Sequence, residues 1–171
     1  AAPAAAQESM QHQPPEPEKL GKVHFETSCR PEVGPAFDRA VALLHSFSFS
    51  ASKRAFEAVL EDDPACSMAY WGLAMSEWGN PFAGIRSGVM LERGGAAAAR
   101  GLATGSPTPR ERDYLAAVAE LYKDHATAAH RTRIVNYERA MQALHAKYPN
   151  DREATAFYAL AVNQTALPTD K

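Results

Sequence analysis

The residues of this 171-residue chain best able to do chemistry are its six histidines and two cysteines. His12, His24, His45, His125, His130 and His145 form no HExxH, HxH or CxxCH arrangement, so none has the spacing of a zinc-protease or haem-attachment motif. His24 and Cys29 could supply two ligands from one loop, which a soft metal would have to complete from elsewhere. His45 is the third candidate ligand, although a histidine on a helix face is more often simply hydrogen-bonded into its surroundings. Met10 and His12 have the composition of a weak copper site. Hydrolytic and nucleotide-binding signatures are missing: there is no GxSxG elbow, P-loop or dinucleotide glycine motif. Glu61, Asp62 and Asp63 precede Pro64 and read as a solvated helix end. The sequence is therefore expected to be no enzyme and to need no cofactor.

Composition narrows the field further. Hydrophobic residues make up 46%, charged residues 22%, and the formal net charge is −2, which is ordinary for a globular chain. No basic excess points to nucleic acid. No apolar run approaches the roughly 20 residues that span a bilayer. Ala1–Gln7 resembles the small-residue stretch around a signal-peptide cleavage site, with a low-complexity Ala/Pro linker as the other reading. Residues 1–19, which include Pro14-Pro15-Glu16-Pro17, are expected to form an extended or disordered tail, and 20–171 the folded domain.

Within that domain the apolar spacing is helical. Leu20–Cys29 reads as an extended lead-in, with Val23 and Phe25 docking on the body. A helix follows Pro31, carrying Phe37, Val41, Leu44 and His45 on one face. After a break at Ser48–Ser50, helices are expected at about 51–62, 66–78 and 87–101. Gly94-Gly95 weakens the last of these by about 1 kcal/mol per glycine. Thr108, Pro109 and Glu111 then have the pattern of a capping box with proline at the first helical position. Two more helices, at about 129–147 and 151–166, complete an all-α chain.

One pattern occurs twice. Asp63-Pro64 precedes Ala69-Tyr70-Trp71-Gly72-Leu73-Ala74-Met75, and Tyr148-Pro149 precedes Ala156-Phe157-Tyr158-Ala159-Leu160-Ala161-Val162. A helix ending at proline, followed by a helix that opens with aromatics among small residues, is the mark of a helical-hairpin repeat. Val33–Cys66 resembles a tetratricopeptide repeat, with Ala40 as its small residue, Ser52 where alanine is usual, then Phe56 and a closing Pro64. Leu43-Leu44-His45-Ser46-Phe47, Met68-Ala69-Tyr70-Trp71-Gly72 and Tyr137-Glu138-Arg139-Ala140-Met141 are similar to exported bacterial tetratricopeptide-repeat proteins. So are Leu20–Phe25, Thr27–Cys29, His130–Arg133 and Tyr148–Glu153.

The resemblance implies stacked antiparallel hairpins forming an α-solenoid, irregular where the Gly79–Gly88 loop interrupts the second hairpin. It also implies a periplasmic or extracellular protein, read here as the N-terminal portion of a longer one, whose last helix lacks its hairpin partner. In such a stack the first and third helices lie side by side, about 8–10 Å apart. That brings Cys29 near Cys66, as a disulfide, as two independent thiols or, least simply, as part of a metal site. The groove would be lined by Phe37, His45, Met68, Trp71, Met75 and Trp78, with Asn163 and Gln164 at its far end. Trp71 is expected between helices and Trp78 nearer the surface. Glu138, Asp151 and Glu153 are expected to lock the hairpins through Arg131, Arg133 or Arg152. The implied function is a scaffold for a protein or peptide partner, self-association included; a metal-handling module is the alternative.

Overall fold

The computed structural model describes residues 20–167 and Thr169, and the expected 1–19 tail, with Met10 and His12, lies outside them. Among the described residues the regular structure is helical throughout. A 3₁₀ turn at Pro31–Val33 leads into α1 (Gly34–His45), α2 (Phe49–Asp62), α3 (Ser67–Trp78), α4 (Gly88–Thr104), α5 (Pro109–Glu120), α6 (His130–Lys147) and α7 (Arg152–Thr165). Each helix packs on its neighbours in sequence, and α3 also touches α1 and α5. None of these helices is long and apolar enough to cross a membrane.

Local chemistry sets most boundaries. Thr108 accepts from the Glu111 N–H at 3.2 Å, and Asp151 accepts from the N–H groups of Glu153 and Ala154 at 3.0 and 3.1 Å. The capping box at α5 is only half made. The Glu111 carboxylate turns instead to the Ser106 hydroxyl and to both the N–H and hydroxyl of Ser28, which ties the lead-in to α5.

The turn between α1 and α2 departs from the expected break. The Phe47 N–H donates to Leu44 O and the Ser48 N–H to Leu43 O, both at 3.0 Å. This is a Schellman closure, in which the residue that turns left-handed is usually glycine. Here it is Phe47, at φ 59°. The closure completes α1 within three residues and lets α2 begin at Phe49, two residues earlier than its periodicity suggests.

Two glycines record close helix approach. A Cβ on Gly72 would stand 2.3 Å from the Phe56 ring, and one on Gly94 2.2 Å from the Tyr122 ring. Gly94 thus weakens α4 locally but admits a buried tyrosine, whose hydroxyl donates to Ala74 O. Ser52 likewise has a reason to replace alanine. It is fully buried, and its hydroxyl donates to Ala40 O at 2.9 Å with the Ser76 hydroxyl 3.1 Å away.

The core draws on every helix, and the lead-in enters it between α1, α3 and α5. The Phe25 ring lies 5.6 Å from Phe37, 5.2 Å from Trp71 and 5.2 Å from Tyr114. Phe157 meets Trp71 from α7 at 5.2 Å. At the same end Cys29 and Cys66 bring their sulfurs to bonding distance, 2.04 Å.

Asp151 joins three of these elements. It accepts from Arg110 Nε at 2.6 Å and from the Tyr114 hydroxyl at 3.0 Å, and Arg110 also covers the Phe25 ring at 4.8 Å. Burial works against the charge of Asp151, but the bonds from Arg110, the Ala154 N–H and Tyr114 outweigh it and hold its carboxyl below the ordinary 3.8. A depressed carboxyl stabilises the fold above its unfolded pKa and loses that contribution as pH falls through the folded value. Asp151→Asn should therefore cost about 1–3 kcal/mol at neutral pH. The gap to wild type should close below about pH 4, as read from urea unfolding at a series of pH values; a gap independent of pH would contradict this role.

Candidate functional site

The residues expected to line a groove divide between core and edge. Phe37, Met68 and Trp71 are fully buried, because Phe25 and the facing helices occupy the side onto which a groove would open. Met75 and Trp78 are also buried, but both border a small apolar cavity at the opposite end from the cysteines. His45 is half-buried and borders the same cavity. Asn163 is exposed on the outer side of α7.

The three candidate metal ligands are engaged elsewhere and apart. His24 faces Asp38 at 3.3 Å. His45 Nε2 stands 2.6 Å from the Glu153 carboxylate, to which it must donate, and its ring stacks on Phe157. Cys29 is matched with Cys66. Among the described residues, Cys29, Asp63 and Cys66 are the group of three whose ligand atoms come together. Asp63 already accepts from the N–H groups of Arg30 and Ala65.

The cavity holds about 40 Å³ of space. Its walls come from the α1–α2 turn (Phe47), the start of α2 (Phe49), the end of α3 (Met75, Trp78) and α7 (Phe157, Leu160). At its mouth the Phe47 ring stands 42% exposed, stacked 6.4 Å from Phe82, which is 57% exposed. Phe82 and Ile85, the latter 77% exposed, belong to the loop between α3 and α4. An Asx turn at Asn80 shapes that loop, with the Phe82 N–H donating to Asn80 Oδ1 at 2.9 Å. Arg86 clamps it from within by donating to the carbonyls of Trp78, Asn80 and Gly84.

Trp78 does not reach the surface as the sequence suggests; it is 2% exposed. Arg86 lies over its ring at 4.9 Å, His130 stacks on it at 5.6 Å and nearly parallel, and Tyr122 meets it edge-on. Arg86 is the cation in this cover. Burial, then the charges of Arg133 and Arg86, hold the His130 imidazole below its ordinary value, and burial likewise lowers Arg133.

The expected hairpin locks form with other partners. Asp151 goes to Arg110 and Glu153 to His45. Arg131 donates to Thr165 O, and the Thr165 hydroxyl donates to Glu138 at 2.7 Å. Arg133, only 3% exposed, is left with Nε and Nη1 unpartnered among the described residues. Sequence reading missed Arg86, which depends on a loop without periodicity folding back over α3, and the stacking of His130 on Trp78, which depends on how the start of α6 packs on α3. Comparison of the chain with protein-family models, curated proteins and solved structures gives no match.

Proposed function

We propose that the chain is an exported helical-repeat module of the tetratricopeptide type. It binds protein or peptide partners, itself among them, through the apolar mouth formed by Phe47 and Phe82. The helix order and the packing of α3 on both α1 and α5 support the repeat reading. A cysteine pair at bonding distance suits an oxidising compartment.

The observation that carries the binding reading is Phe47. A bulky side chain at φ 59° is disfavoured by about 1 kcal/mol or more, and glycine would remove that cost. Yet the aromatic ring stands there 42% in water, stacked on the exposed ring of Phe82. Such a residue serves folding poorly and a docked partner well.

Phe47→Gly separates the two roles. The variant should unfold within about 1 kcal/mol of wild type, because relief of the left-handed backbone offsets the lost ring contacts. Peptides selected from a random library on wild-type protein should lose about tenfold or more in affinity for it. A variant that is much less stable, or that binds the selected peptides unchanged, would overturn the assignment.

A further inference from the structure

Among the described residues the buried side-chain polar atoms without a partner are Trp78 Nε1, His130 Nδ1, Arg133 Nε and Nη1, and Gln164 Nε2. All are nitrogens. Trp78, Arg133 and the Gln164 amide nitrogen can only donate, so what this end of the molecule lacks is acceptors. Buried donors left unpaired are costly, and several of them together call for a ligand that satisfies them.

They are also related in space. Trp78 and Gln164 both border the apolar cavity, and His130 stacks on Trp78. Arg131, beside His130, donates to the carbonyl of Thr165, beside Gln164. Cations crowd this end: Arg86 and Arg133 flank His130, and the nearby acid, Glu77, is taken by Lys53. Arg86 is spent on backbone carbonyls, while among the described residues Arg133 meets no carboxylate. Ala129 caps α6 without a side-chain bond, so the helix end beside His130 adds its own unpaired N–H groups and positive dipole.

We infer that this end of the cavity takes a carboxylate attached to a small aliphatic group: the aliphatic part enters the apolar space and the carboxylate accepts from the Trp78, Gln164 and Arg133 donors. In a peptide the carboxylate comes either from the chain terminus or from an acidic side chain next to an aliphatic residue. This inference builds on the peptide-binding reading above and narrows its ligand.

The test uses the indole N–H resonance of Trp78 in ¹⁵N-labelled protein, distinguished from that of Trp71 by the Trp78→Phe variant. N-acetyl-leucine is titrated against its amide, and amide-capped leucyl-glutamate against amide-capped leucyl-glutamine. In at least one pair the acid should shift the Trp78 resonance about tenfold or more tightly than its neutral twin, as expected for a charge-assisted bond. The pair that responds identifies the source of the carboxylate. Arg133→Gln should erase the difference between twins and Arg133→Lys should keep part of it. Acid and neutral twins acting alike in both pairs, or no compound moving Trp78, would overturn the inference. The Phe47-dependent binding of selected peptides would then still stand or fall by itself.

Discussion

Phe25→Ala will lower the unfolding free energy by about 3–5 kcal/mol, the range for deleting a buried phenylalanine. Phe25 belongs to no helix, which makes so large an effect unusual for a lead-in residue. Its ring is 3% exposed and touches aromatic residues of α1, α3 and α5 at once. Its N–H donates to Asp38 at 2.8 Å, and the Arg110 guanidinium closes over it. Removing the ring leaves a cavity against Trp71 that three packed helices cannot collapse to fill. Chemical unfolding with tryptophan fluorescence measures the change, and a loss below about 1 kcal/mol would show that the lead-in is only laid on the surface.

Reducing or deleting the Cys29–Cys66 link should cost about 3–4 kcal/mol. The two residues are separated by 37 positions, and closing a loop of that length in the unfolded chain accounts for this figure. Cys29→Ala with Cys66→Ala should match the reduced wild type in stability, and adding a reductant to the double variant should change nothing. A wild-type protein whose unfolding midpoint ignores reductant would contradict the link. Cys29 and Phe25 lie close together in the same lead-in, so the two losses should not simply add. Opening the crosslink lets the lead-in leave its site, and the ring is then partly gone already.

Helix number, order and most boundaries follow from proline and glycine punctuation and from the 3.6-residue apolar period, and α5 and α7 begin at their capping residues. The lead-in illustrates the limit of that reading. Docking of Val23 and Phe25 is legible as apolar residues in a non-helical stretch. That Phe25 sits between α1, α3 and α5 is not, because a segment without periodicity carries no direction.

Trp78 is the second example. It precedes Gly79-Asn80-Pro81, a surface signal, but Arg86 and His130 arrive from later in the chain to cover it. The ion pairs are the third. Arg133 looks like a partner for Asp151 or Glu153 until Arg110 and His45, from α5 and α1, take those carboxylates. Pairings between distant segments are decided by packing, and packing is what one sequence does not display. The two Arg133 nitrogens left unpartnered among the described residues and the aromatic left-handed turn at Phe47 became visible only once the other pairings were in place.

The most direct measurement is the footprint of a library-selected peptide on the ¹⁵N-labelled protein. Shifts should concentrate on Phe47, Phe49, Met75, Trp78, Phe82 and Gln164, with Val23–Ser28 undisturbed, because the lead-in already fills the opposite side. A footprint centred on Phe37, Trp71 and Tyr114, with release of Phe25, would instead place the binding surface beneath the lead-in and contradict the assignment of the Phe47–Trp78 end.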